Sequence, residues 1–145
     1  MLKHALANVV VKGNPKSHRV LVNVLGSLGK AGISIYGIML EKDKLKFYVK
    51  ETEYERALKI LDKVAKGDVE FYVTRGIGMI TISGGERGHP IDIDVLLAPV
   101  RDRVKVFDLI RSDNSVQLFL DLKHRGFVFH QLVKKVTEGF RVTKA

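Results

Sequence analysis

Two glycine-rich stretches, Gly76-Ile77-Gly78-Met79 and Gly84-Gly85-Glu86-Arg87-Gly88, have the residue types that let a backbone wrap around a phosphate. Neither completes a phosphate loop. The first opens a strand instead of a helix, and the second lacks the Gly-Lys-Ser/Thr ending that supplies a cation and a metal-binding hydroxyl. Asp92 and Asp94 stand two apart in a stretch expected to be helical, so their carboxylates point in different directions and make no facing acid–base pair. Asp108 with Arg111, and His124 beside Arg125, read as solvated side chains, because nothing there couples a nucleophile to a base. With no cysteine and five scattered His, disulfides, thiolate zinc sites and a cysteine nucleophile are excluded. The expectation is a non-enzyme that holds no metal and no cofactor.

Arg125-Gly126-Phe127-Val128-Phe129 partly matches the Arg-Gly-Phe-Gly-Phe pattern of RNA-binding sheets, where aromatic rings stack on bases. Helical periodicity puts this stretch at a helix start, with Phe129 in a core position. Tyr36, Tyr48, Phe107, Phe119 and Tyr72 are better candidates for an exposed aromatic sheet face, able to stack bases or to pack against another sheet. Val10 and Thr81, however, stand on the first strands where such a sheet usually carries a partner aromatic. The net charge of +9 attracts anions, but its lysines are interleaved with acids, as in Glu41-Lys42-Asp43-Lys44, and form no basic arm. Protein association is therefore favoured, with a nucleic-acid-binding ferredoxin-like module as the alternative and a purely structural subunit as a third reading.

The elements that position these residues occur twice. Sliding the chain against itself by 71 positions superposes Gly13 on Gly84, His18 on His89, Val24-Leu25 on Val95-Leu96 and Leu61 on Leu132, and apolar classes agree more widely. In the first copy, Asn8 to Lys12 predicts a strand ended by Gly13-Asn14-Pro15. Val20, Leu21, Val24, Leu25 and Leu28 then share one helix face, with Gly32 as the stop. Strands are expected over Ile33 to Leu40 and Leu45 to Lys50. A capping box at Thr52-Glu53-Tyr54-Glu55 opens a second helix that Gly67 ends before a strand from Val69 to Thr74.

The second copy predicts strands over Met79 to Ser83, Val106 to Arg111, Val116 to Leu122 and Phe140 to Thr143, with helices from about Pro90 to Ala98 and from Val128 to Glu138. The fold class is α+β: two tandem ferredoxin-like βαββαβ domains, residues 1–75 and 76–145, each an antiparallel sheet with two helices on one face. No apolar run approaches the roughly 20 residues of a membrane span, so a soluble, cytoplasmic protein is expected.

Ala31-Gly32-Ile33-Ser34-Ile35, the hairpin Leu45-Lys46-Phe47-Tyr48-Val49 and the run Glu51 to Leu61 resemble the regulatory ACT domains at the C-terminal end of aspartate kinases. Ser115-Val116-Gln117-Leu118-Phe119-Leu120-Asp121 is similar to the matching stretch of their second copy. The resemblance implies ligand sites between paired domains, using the loop after the first strand and the start of the second. By position it points to Asn14, Ser17, His18, Ile33 and Ser34 in one copy and to Gly85, Arg87, His89, Val104 and Lys105 in the other. Backbone N–H groups at a helix start suit a carboxylate. The Pro-Gly pair common in the family's loop is absent from both copies, and Arg103 stands where the first copy has Gly32. The resemblance further implies a standalone regulator that binds an amino acid or related small metabolite, forms a homo-oligomer, most simply a dimer, and acts on a biosynthetic enzyme.

Overall fold

Val9 and Val11 alternate with Val10 and Lys12, the period of two that a half-covered strand requires, and Leu6–Gly13 forms strand β1. The computed structural model describes residues 5–13, 18–41, 43–65, 69–84, 94, 97–98, 100–112, 115–135 and 140–144. By internal packing the chain divides into Met1–Arg75 and Gly76–Ala145. In the first unit β1 is followed by α1 (His18–Lys30), β2 (Tyr36–Leu40), β3 (Lys44–Lys50), α2 (Tyr54–Ala65) and the opening part of β4 (Val69–Gly84). Its strands are ordered β2-β3-β1-β4, and β1 and β3 pair antiparallel from Leu6 opposite Lys50 to Lys12 opposite Lys44.

The apolar stripes of α1 and α2 close over one sheet face. Ala7, Val9 and Val11 of β1, Leu45, Phe47 and Val49 of β3, Val24 and Leu28 of α1, and Ala57 and Leu61 of α2 make one buried cluster, joined by Ile33. Helix α1 stops as expected at Gly32, which takes a φ of +75° while its amide bonds to Gly29 and the Ile33 amide reaches back to Leu28. This is a Schellman ending, and the buried pair Leu28 and Ile33 supplies its usual apolar contact. Helix α2 starts later than the expected capping box. The Glu53 amide is still bonded to the Lys50 carbonyl in the turn that leaves β3, so the first helical carbonyl is that of Glu53, which accepts from Ala57. Thr52 therefore lies outside the cap.

In the second unit the rest of β4 precedes β5 (Val106–Arg111), β6 (Ser115–Asp121), α3 (Leu122–Lys135) and β7 (Phe140–Lys144). β4 pairs antiparallel with β6 on one side and with β7 on the other, and β5 flanks β6. Ile80, Ile82, Val116, Leu118, Leu120, Val128 and Leu132 bury a core with Val100 and Val104. The strands expected at Val69 to Thr74 and Met79 to Ser83 are one continuous β4, because Ile77 and Gly78 already pair with Asp121 and Leu120. Helix α3 begins at Leu122, not Val128, since the Asp121 carboxylate accepts the Lys123 amide at 3.1 Å and caps the helix there. β2 begins at Tyr36, three residues later than expected, because Ile33 is held in the ending of α1. Most of the expected helix from Pro90 to Ala98 lies outside the described residues; Asp94 and Leu97 within it are helical, with the Ala98 amide bonded to Asp94 at 3.1 Å.

Adding 71 to each partner in the β1–β3 ladder reproduces the β4–β6 ladder, from Ile77 opposite Asp121 to Ser83 opposite Ser115. Each unit also carries one irregularity in its outer ladder, between Tyr36 and Met39 in β2–β3 and between Val106 and Asp108 in β5–β6, which lies slightly earlier in the second copy. One expectation fails in both places. Tyr48 and Phe119 are fully buried and so do not belong to an exposed aromatic face.

Candidate functional site

Strand β1 ends at Gly13, and the 13-residue helix α1 begins at His18. Asn14 and Ser17 lie outside the described residues, and His18 is the first residue of α1. At the far end of α1, Ile33 is buried in the core with its amide already bonded to Leu28, and Ser34 beside it is exposed. Helix α1 is roughly 20 Å long at 1.5 Å per residue. His18, the first residue of α1, and the Ile33–Ser34 segment that follows the helix therefore stand at opposite ends of α1.

The second unit repeats the contrast between a buried residue and an exposed neighbour. Val104 packs in the core and donates its amide to the Val100 carbonyl at 3.1 Å. Lys105 is exposed, and its Nζ lies 5.2 Å from the centre of the Phe107 ring. Gly85, Arg87 and His89 lie outside the described residues. Chemically, the exposed Ser34 offers a hydroxyl and Lys105 a cation, whereas Ile33 and Val104 serve as apolar anchors that fix where those neighbours emerge.

Asp94 accepts an ion pair from Arg101 at 3.2 Å, exposed on both sides. Phe129 packs against the second core as expected, beside the buried Val128, with Phe127 on the outside of α3. His124 differs from its reading as a solvated side chain, since its Nδ1 is buried.

A cluster that the sequence reading missed lies on the face of the first sheet opposite its helices. Val9 and Val11, Leu45 and Phe47, and Phe71 and Val73 all face the core, so strand alternation turns Val10 and Lys12, Lys44 and Lys46, and Glu70 and Tyr72 to the other side. Lys12 stands directly opposite Lys44, and Val10 opposite Lys46. The Lys12 Nζ lies 5.5 Å from the centre of the half-exposed Tyr72 ring. Tyr72 donates its hydroxyl to Glu70 at 2.7 Å, and this bond, together with the Glu70 charge, holds the phenol above its ordinary pKa. Lys44 pairs with Glu41 at 3.4 Å. Alternating lysines in Lys44-Leu45-Lys46 were the available signal, obscured by the acids that flank them in sequence.

No protein-family model and no curated protein matches the chain. Solved structures do. The regulatory subunit of aspartate kinase from Thermus thermophilus, in a ligand-free form, superposes with a TM-score of 0.77 at 17% identity, over 92% of this chain and 94% of that one. A structure of aspartokinase alpha and beta subunits matches with a TM-score of 0.76 at 19% identity, over 89% and 90% of the two chains. Escherichia coli aspartokinase III, in complex with lysine and aspartate, matches at 0.69 and 13% identity, over 92% of this chain and 32% of that one. In fold, this chain resembles the ACT-type regulatory region of aspartate kinases across nearly its whole length.

Proposed function

We propose that this chain is a non-catalytic regulatory protein of two tandem ACT domains, residues 1–75 and 76–145, that binds an amino acid or related small metabolite and controls an amino-acid biosynthetic enzyme. The observation that carries this reading is its likeness, over most of both chains, to a separate regulatory subunit of aspartate kinase. The complex of the Escherichia coli enzyme with lysine and aspartate favours an amino acid as the ligand class. The ladder that recurs at a spacing of 71 supports the duplication.

The chemistry of such a site follows from the ends of α1. Free N–H groups at the helix start meet the ligand carboxylate, with Asn14, Ser17 and His18 around it in the first domain and Gly85, Arg87 and His89 in the second. Because the segment at Ile33 and Ser34 emerges at the other end of α1, a loop and a strand start from two different domains complete one site, and Val104 with Lys105 play the same part in the second copy. A ligand held in this way favours the paired arrangement, and it regulates a partner only in so far as it binds one arrangement more tightly than the other. A cytoplasmic homodimer is the simplest closed assembly that offers such pairs.

A thermal-shift series with the full chain and the common amino acids, beginning with lysine, tests this reading. A ligand that binds only the folded protein raises the melting temperature saturably with concentration, and the double substitution Asn14→Ala with Ser17→Ala removes the rise. No shift with any amino acid overturns the sensor.

A further inference from the structure

Beyond the proposed amino-acid site, we propose that the sheet face of the first unit opposite its helices binds single-stranded nucleic acid without sequence preference, its phosphates met by Lys12, Lys44 and Lys46 and a base stacked on Tyr72. Like charges directly across an antiparallel pair disfavour the sheet, and Lys12 directly opposes Lys44 with Lys46 on the same face. The fold does not require this charge. Ser83, Ser115 and Gln117 occupy the corresponding positions of the second unit, and Ser83 opposes Ser115 in a ladder of the same register. Thr143, exposed on β7, corresponds to Tyr72. Three lysines and an aromatic ring therefore appear only where the first unit departs from an otherwise shared pattern.

The geometry suits a phosphodiester chain. Neighbouring strands lie about 4.8 Å apart, and alternate residues along one strand about 6.8 Å, so the three ammonium groups cover a short continuous track. Glu41 pairs with Lys44 and Glu70 accepts from the Tyr72 hydroxyl, so a phosphate takes Lys44 by displacing Glu41. The Tyr72 ring is half exposed. Tyr48 is buried on this face and Tyr36 opposite it is partly buried, so Tyr72 is the most exposed ring there and backbone charge supplies most of the affinity.

Fluorescence anisotropy of the full chain with labelled oligo(dT), over a range of salt concentrations, tests the proposal. The variant K12S/K44S/K46Q takes the residues of the second unit, which keep the ladder foldable, and circular dichroism verifies its fold. The control variant K30S/K59S/K63S removes the same charge from exposed helix positions of the first unit. Three lost phosphate contacts reduce the slope of log affinity against log salt by about 2 and weaken low-salt binding about tenfold or more. The control keeps the original slope, and Tyr72→Thr weakens binding about fivefold with the slope unchanged. Absent binding, equal losses in both triple variants, or a Tyr72→Thr protein that binds as well as the parent overturns the proposal. Equally effective competition by a poly-glutamate peptide overturns it in favour of an acidic protein segment.

Discussion

Gly78 sets how closely helix α3 approaches strand β4. A methyl group there would meet the Arg125 side chain at 3.0 and 3.2 Å and the Leu122 Cα at 3.3 Å. The Arg125 Cδ can swing away, but the Arg125 Cβ and the Leu122 Cα belong to the first turn of α3 and move only with the helix. The corresponding residue of the first unit is Ala7, fully buried, so a methyl group is tolerated where the opposing positions are Glu51 and Tyr54 in place of Leu122 and Arg125. Gly78→Ala is therefore expected to destabilise the protein by about 1–3 kcal/mol, as overpacking commonly does. Urea unfolding measures it. Arg125→Ala in the same background should recover part of that loss and leave the backbone share, and a double-mutant cycle separates the two. A neutral Gly78→Ala would show that this helix stands farther from the strand.

Among the elements, the ending of α1 was legible in sequence and the beginnings of the other helices were not. A glycine after the last apolar position announces a left-handed residue, and Gly32 has a φ of +75° with open space around it. Gly32→Ala is expected to lose about 1–2 kcal/mol from backbone strain alone, read as a lower melting temperature with helix content retained. Arg103, its counterpart, follows a different path, in which the Arg103 and Val104 amides both bond to Val100. Helix starts were harder to read because the decisive bonds are made by turns and caps: Glu53 to Lys50 delays α2, and the Asp121 carboxylate advances α3. The burial of Tyr48 and Phe119 had a visible signal, since Phe47-Tyr48-Val49 and Leu118-Phe119-Leu120 are unbroken apolar runs, the mark of a strand covered on both faces. At the candidate site, the resemblance pointed to Ile33 with Ser34 and to Val104 with Lys105, and in each pair the first residue is buried and the second exposed. The separation of Ser34 from His18 became evident only once α1 had a length.

At the scale of the whole molecule, the repeat makes a prediction about cooperativity. Leu61 of α2 and Leu132 of α3 stand 71 positions apart, each fully buried, and each in the core of its own unit. Truncating either to alanine removes buried methyl groups and leaves a cavity, a loss of about 2–5 kcal/mol at each site. If residues 1–75 and 76–145 are separate domains, the two losses fall in different places. Amide exchange in Leu61→Ala should accelerate through β1, β3 and α2 while β6 and α3 keep their protection, and Leu132→Ala should produce the reverse. Uniform acceleration across both units in either variant would make the chain one cooperative body and sink the tandem-domain reading. A regional response would mean two cores that loosen separately, the property through which the proposed ligand, held by one domain, would change the state of that domain without unfolding the other.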